Sequence, residues 1–550
     1  MCYTRVMRKV IRTDIYTFEK LIRQDRLYVD KTRYLHELVK DDAESSFYFL
    51  CRPRRWGKSL MCSTIDALFE GKRELFDGLY ISKTDYDFEK YPVIHFDFAN
   101  LPTENYDCFV KGLQDKIENQ AERIGLSVKR SAPSTMLSDI FEEAEKELVI
   151  TIDEYDTPII HSLDREWTDK ARTVFNSFYA TIKVYEGKLR FLYITGITKL
   201  ANLSIFSTLN NLKDISLRTE YAGMFGYTEE EVESCFSDYI DDYMKRDDRK
   251  YETRKEFIDS IRTYYDGYSF SPLSETRVYN PVSLGCFFME NCIFRNYWQE
   301  TGSSALAIEL ARRFNLLSLV TDSPLVALST FTTFDIAAIR DRNLNEEQAL
   351  VFLYFTGYLT ILSGTERTVS LTFPNREIRT SFTCDLIQRY TNNQIVPLTL
   401  GDRLSFAAAK EDTDEIMTLL KDYYNQFIYQ FFNNEEVDED EEKKAKRKKL
   451  IPESTFQLIL YALFVAVTVD PRAEEPTTLG RSDIVFFSSD IVYVLELKVD
   501  ESAEKALEQI REKGYAERYR LNHHSIHLLG INFSSRKRQI EDWKEETIHC

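Results

Sequence analysis

Gly57, Lys58 and Ser59 follow an apolar run, Phe47 to Leu50, and open a segment in which Leu60, Met61, Thr64, Ile65, Leu68 and Phe69 recur at helical spacing. A strand, a short loop and a helix beginning Gly-Lys-Ser form a context suited to holding phosphate. Helix-start N–H groups receive phosphate oxygens, Lys58 pairs with the β and γ phosphates, and the Ser59 hydroxyl ligates Mg²⁺. Arg52 stands where this Walker A pattern has its first glycine, so a left-handed backbone, if the loop needs one there, has to be met elsewhere. Arg54, Arg55, Trp56 and Leu60 complete the candidate nucleotide-contacting loop, although arginines flanking a loop are also ordinary surface charges.

A second apolar run, Leu148 to Ile152, ends in Asp153 and Glu154. Asp153 is placed to hold the Mg²⁺ shell and Glu154 to orient or deprotonate an attacking water. Strand-end acids often only cap a neighbouring helix, so the pair gains its weight from standing at a strand end downstream of the P-loop. Thr195 closes a further run, Phe191 to Ile194, as a candidate sensor of the γ-phosphate or as a turn residue before Gly196. ATP and Mg²⁺ are the cofactors these residues ask for.

A separate constellation lies near the C-terminus. Asp483 begins one short strand, and Glu496 and Lys498 share a face near the end of the next, Val492 to Lys498. Two carboxylates converging there can bind Mg²⁺ or Mn²⁺ through oxygen, polarise a phosphodiester and lower the pKa of a bound water, with Lys498 holding that water. A surface Glu-x-Lys pair is the bland alternative. It is weakened by Val492, Val494, Leu495 and Leu497, which make the strand nearly all apolar, and a buried Glu and Lys need a reason to be there. Gln509 and Glu453, each on a helix, are either members of this site or a surface residue and a cap; Glu474 is a weaker acidic candidate.

These groups need scaffolds. Between Phe47 and Leu217 the runs Phe47 to Leu50, Val93 to Phe98, Leu148 to Ile152, Phe191 to Ile194 and Ile215 to Leu217 alternate with amphipathic segments, the rhythm of a parallel sheet with helices on both faces. The predicted class is α/β. An N-terminal P-loop domain spans 1–226, a helical lid or spacer 227–432, an acidic then basic linker 433–449, and a small α/β domain 450–550. That last domain reads as a helix from Glu453, strands over Asp483 to Phe487 and Val492 to Lys498, a helix from Ser502 and a final strand, His527 to Ile531.

With 550 residues and 43% hydrophobic content the chain builds more than one core. Nine cysteines without a CxxC pair suggest neither a disulfide framework nor a zinc site, and no secretion signal is visible. The longest apolar run, Leu458 to Val469, is too short for a membrane span and reads as a buried helix. A cytoplasmic location, without membrane association, is the expectation. The net charge of −19 argues against nonspecific nucleic-acid binding, so such a partner needs a local basic patch. Arg52 with Arg54 and Arg55, Lys443 to Lys449, and Arg536 to Arg538 are the candidates, each also readable as solvated surface.

The residues resemble a bacterial and archaeal family, the AAA-ATPase-like proteins fused to a PD-(D/E)XK nuclease domain, over almost the whole chain. The marks are Tyr28-Val-Asp-Lys-Thr32, Arg52 to Leu60, Ile152-Asp-Glu-Tyr-Asp156, Thr195 to Leu200 leading to Ser204-Ile-Phe-Ser207, Tyr265-Asp-Gly-Tyr268, Asn280-Pro281, Gly480-Arg-Ser-Asp483, Glu496-Leu-Lys498, and Gln509 with Tyr515. The resemblance implies that an arginine at position 52 is no sign of a dead site and that Lys58, Ser59, Asp153 and Glu154 serve ATP and Mg²⁺. It also implies that Asp483, Glu496 and Lys498 form the core of a restriction-endonuclease-like C-terminal domain. The charged stretch 435–449 departs from the pattern. Three functions then compete: ATP-gated cleavage of DNA, in defence or mobile-element biology; a nucleotide switch whose C-terminal domain binds nucleic acid or a protein without cutting; and ATP-driven assembly or signalling. A homo-oligomer is compatible with each.

Overall fold

The computed structural model describes residues 8–40, 42–162, 165–199, 209, 211–298, 305–333, 344–391, 397–426, 453–466, 472–476, 481–488, 490–520 and 524–550. The predicted linker 433–449 lies outside them. The chain forms two compact units, one of residues 1–303 with 324–376 and one of residues 304–323 with 377–550. Among the described residues no helix is long and apolar enough to cross a membrane.

The first unit is built on five parallel strands, β1 (Phe47–Cys51), β2 (Val93–Asp97), β3 (Leu148–Asp153), β4 (Leu189–Gly196) and β5 (Lys213–Asp214), in the order β2-β3-β4-β1-β5. Parallel strands covered by helices read as continuous apolar runs, and β3 is buried at all six positions. The fifth strand was expected over Ile215 to Leu217 but is only Lys213–Asp214. Asp214 accepts from the Ser216 amide at 2.9 Å, and the Ser216 hydroxyl takes the Cys51 amide at 2.9 Å, so side chains replace the ladder there. Phe96 of β2 and Phe98 just beyond its end meet Phe175 and Phe178 of the Thr168–Val184 helix, with ring centroids 5.3 to 6.0 Å apart.

The middle region is rich in helices, as expected, and also carries a three-stranded antiparallel sheet that periodicity did not reveal. It consists of β6 (Leu325–Ala327), β7 (Thr360–Gly364) and β8 (Thr368–Thr372) in the order β6-β8-β7. Ala349, Phe352, Leu353 and Phe355 fall on the Glu346–Phe355 helix, opened by an Asn345–Gln348 capping box; Leu359 lies past Gly357, whose φ of +89° turns the chain out of the helix.

In the second unit, β9 (Arg472–Pro476), β10 (Arg481–Ser488), β11 (Ile491–Val499), β12 (Ser525–Ser534) and β13 (Gln539–His549) are ordered β13-β12-β11-β10-β9, with β11 and β12 parallel. Two of these five, β9 and β13, lie at the edges and were not predicted, because edge strands carry charge rather than apolar runs. The Glu453–Ala466 helix is buried from Ile459 to Ala466, as expected of the apolar run Leu458 to Val469, whose residues 467–469 lie outside the described residues. Segments assigned from sequence to the spacer join this unit. The Tyr423 and Tyr424 hydroxyls, on the Thr413–Asn425 helix, donate to the Ile459 and Phe456 carbonyls at 3.2 and 2.6 Å. Buried His527 on β12 sits between Glu411, 2.8 Å away, and Glu545, 2.7 Å away.

Gly530 on β12 faces the Ala503–Glu512 helix so closely that a Cβ would lie 2.3 Å from the Ala503 carbonyl oxygen and 2.8 Å from the Leu507 nitrogen. Both are backbone atoms, so Gly530→Ala is expected to destabilise this unit by about 1–3 kcal/mol. Urea unfolding followed by circular dichroism checks this, and an unchanged midpoint speaks against such close packing.

Candidate active sites

β1 ends at Cys51, the loop runs from Arg52 to Gly57, and the P-loop helix spans Lys58–Phe69. Gly57 has φ +87° and Arg55 φ +69°, so these two residues supply the left-handed backbone of the loop and position 52 does not. Arg52 is buried. Its guanidinium donates to the Cys51 and Ser216 carbonyls at 2.8 and 2.7 Å and lies 4.1 Å from the centre of the Phe270 ring, so it acts as a structural plug. Lys58 is 5% exposed, its ammonium donating to the Arg52 and Pro53 carbonyls at 3.1 and 2.9 Å.

Because β4 lies between β1 and β3, the P-loop helix reaches past one strand to the acid at the end of β3. Asp153 is 3% exposed, accepts the Glu154 amide at 2.9 Å and is hydrogen-bonded by Ser59. Burial pushes its carboxyl up, while Lys58 and Ser59 pull it back. Glu154 holds φ +51°, an uncommon conformation for its type, and accepts from the Thr157 hydroxyl at 2.8 Å. Thr195 does not fit a sensor: it is fully buried, and its hydroxyl is committed to the Leu50 carbonyl at 2.9 Å within the sheet. Asp156, to which no separate role was assigned from its motif, fixes the loop after β4 by accepting from the Ile197 amide at 3.0 Å and the Thr198 amide and hydroxyl at 2.7 and 2.8 Å. Burial pushes its carboxyl up to about 6.

These groups open on a cleft of about 570 Å³. Its lining combines the polar groups of Arg54, Arg55, Lys58, Ser59 and Glu154 with apolar side chains, among them Ile11, Ile15, Val29, Phe225 and Val282. Polar groups together with apolar ones suit a nucleotide's phosphates and base, and the volume lies in the usual ligand-site range. Leu60 also lines the cleft, and Arg55 is held by the Tyr16 hydroxyl at 3.1 Å. Trp56 touches the cleft but is 1% exposed, its ring packed edge-on against Tyr268 and Phe270, so it braces the loop. The apolar walls were missed at the level of motifs. The signal was Tyr28-Val-Asp-Lys-Thr32, where buried Lys31 ties two walls together through Glu231 at 2.6 Å and the Gly223 carbonyl at 2.8 Å.

In the second unit, Ile484 pairs with Leu495, so Asp483 and Glu496 are the next cross-strand neighbours and share a face. Glu496 is 2% exposed; one oxygen accepts from Gln509 and, at 3.4 Å, from Lys498, and the other has no hydrogen-bond partner among the described residues. Asp483 accepts the Leu497 amide at 2.7 Å. Burial and the nearby Asp483 push the Glu496 carboxyl up to about 8. Lys498 also lies 3.8 Å from Glu453, which places the helix start at the site, and Gln509 reaches Tyr515 at 3.4 Å. Gln457 adds a bond to the Asp483 carbonyl at 3.1 Å. Glu474 lies on β9, its side chain outside the described part. An orphaned carboxylate oxygen beside a second carboxylate is a donor set for a hard divalent cation. Among the described residues no three His, Cys, Asp or Glu side chains close on a metal position.

Residues 12–206 match the family model described as "Predicted AAA-ATPase", and residues 451–543 match that of the PD-(D/E)XK nuclease superfamily. A curated relative from Azotobacter chroococcum mcd 1, the "Uncharacterized protein in vnfD 5'region", is 28% identical over 554 residues, spanning 98% of this chain and 99% of its own.

A cation entering between Asp483 and Glu496 has to displace the proton that burial favours on Glu496. Mn²⁺ affinity should therefore climb with pH until this carboxyl ionises, near about 8, and level off above it. Calorimetric titration of wild type and Glu496→Gln across about pH 6 to 9 reads this out. A flat profile in wild type would count against the pair as ligands.

Proposed function

The chain joins an AAA-ATPase-like domain to a PD-(D/E)XK nuclease superfamily domain, and from that premise we propose that it is an ATP-binding and hydrolysing protein whose nucleotide state gates metal-dependent cleavage of DNA. What carries the reading is that each sequence-distant set of groups is gathered into one site: Lys58, Ser59, Asp153 and Glu154 in one compact unit, Asp483, Glu496 and Lys498 in the other.

At the first site the P-loop amides and Lys58 hold the phosphates, Lys58 exchanging its bonds to the Arg52 and Pro53 carbonyls for phosphate oxygens. Ser59 and Asp153 would hold Mg²⁺, which would supply positive charge against the charge developing on the transferred phosphoryl group. Glu154 orients the attacking water. At the second site Asp483 and Glu496 would hold Mg²⁺ or Mn²⁺, which would supply Lewis acidity toward the scissile phosphate. Lys498 steadies the nucleophilic water and the negative charge, and Gln509 keeps Glu496 in place. DNA as substrate, gating by ATP and a role in defence or mobile-element biology belong to this proposal, as does an internal, membrane-free location.

Lys58→Ala should abolish ATP binding, while Glu154→Gln should bind ATP and lose roughly 10²–10⁴-fold in hydrolysis. Asp483→Ala and Lys498→Ala should lose cleavage of DNA and keep ATP hydrolysis near wild type, whereas Lys58→Ala should lose both activities. The measurements are nucleotide binding, phosphate release and Mg²⁺- or Mn²⁺-dependent cleavage of single- and double-stranded DNA and RNA by the full chain. Full cleavage by Lys58→Ala would rule out gating. Binding of DNA with no cleavage in any metal would instead favour a switch that holds nucleic acid without cutting it.

A further inference from the structure

Beside the nucleotide cleft lies a second, polar cavity of about 420 Å³, and Ser59 lines both. Asp153 and Asp97 line the second. The register of β2 against β3 pairs Asp97 with Asp153, and laterally paired residues of neighbouring strands point to the same face. Two carboxylates thus stand side by side next to the Ser59 hydroxyl.

The other acids of this cavity are already matched. Asp66 takes the Thr151 hydroxyl on one oxygen at 2.7 Å and His95 on the other at 3.1 Å. Glu19 is paired with Lys72 at 2.7 Å, and Glu70 with Lys72 at 2.8 Å and with Arg123. Asp97 differs. One of its oxygens accepts the Ala99 amide at 2.9 Å, an Asx turn that ends β2, and among the described residues no Lys or Arg forms an ion pair with it. An asparagine would make the same turn without setting a negative charge beside buried Asp153, so the turn alone does not call for the charge, and the nearby His95 imidazole is hydrogen-bonded to Asp66.

We propose that Asp97 is a positioning residue of the ATPase metal site, its carboxylate holding water molecules in the shell of the divalent cation that Ser59 and Asp153 bind. This rests on the ATP and Mg²⁺ reading of the P-loop. Mg²⁺ sheds its water reluctantly and binds through one or two carboxylates and the substrate phosphates, so acids around it often act through retained waters. The cation supplies the charge that makes the Asp97 and Asp153 pair favourable, and Asp97 orients the waters on the side of the second cavity.

Asp97→Asn tests this, because the amide oxygen can still accept from Ala99 while the charge is lost. Binding of a fluorescent ATP analogue to the full chain is titrated with Mg²⁺, and the Mn²⁺ bound only when the nucleotide is present is followed by electron paramagnetic resonance, which separates this site from the Asp483 and Glu496 pair. The Mg²⁺ midpoint should rise about 10-fold in Asp97→Asn, Mn²⁺ binding should weaken in parallel, and nucleotide affinity in EDTA should not fall, which also shows that the variant is folded. Asp66→Asn, whose parent carboxylate is matched on both oxygens, should leave the midpoint in place. A wild-type midpoint in Asp97→Asn reduces Asp97 to its turn. If wild type itself shows no Mg²⁺ dependence, or Lys58→Ala binds the analogue equally well, the reading of the P-loop falls and this proposal falls with it.

Discussion

Lys58 and Asp153 are both withdrawn from water, and a buried charge is tolerable only when its hydrogen bonds and its counter-charge are supplied by the protein. The organisation of the first unit meets that requirement. Two carbonyls of the Arg52 to Gly57 loop hold the ammonium, and Ser59 with the Glu154 amide holds the carboxylate. One intervening strand, β4, fixes the distance between the two strand ends, and neighbouring strands lie roughly 4.8 Å apart. Asp156 then secures the end of β4 from below the site. The second unit solves the same problem with fewer parts: Lys498 and Gln509 satisfy one oxygen of Glu496, and the other has no hydrogen-bond partner among the described residues.

Much of this frame was legible in the sequence because parallel, doubly covered strands must be apolar along their length. β1 to β4 stand out as runs for that reason, and the acids and glycines at their ends mark where chemistry begins. The charged edge strands β9 and β13 escaped because no face of theirs has to be apolar. The sheet of β6, β7 and β8 escaped because short strands of three to five residues carry too few alternations to register beside helices. Helices of the spacer belong with the C-terminal sheet because buried tyrosines such as Tyr423 and Tyr424 find carbonyl partners there, a pairing between segments distant in sequence that local pattern does not encode.

Among site residues, type and spacing identified the groups that gather, and burial decided their orientation. Thr195 and Trp56 have the right position and the wrong commitments, one bonded within the sheet and the other packed among aromatic rings. Arg54 and Arg55 line the cleft, so the arginines were worth separating from Arg52, which is sealed inside. The pairing of Asp97 with Asp153 was not legible because nothing in a run ending Phe-Asp-Phe tells which residue stands across the sheet.

Arg52 has a consequence for how this loop can change over evolutionary time. Its guanidinium fills the space among the Cys51 and Ser216 carbonyls and the Phe270 ring, while the left-handed turns fall to Arg55 and Gly57. Reverting position 52 to the glycine usual in phosphate-binding loops would empty that space and strand two carbonyls. It would also gain no backbone freedom that the loop uses. The single step toward the common motif is therefore uphill unless another side chain fills the space beside Phe270 and supplies donors to the two carbonyls.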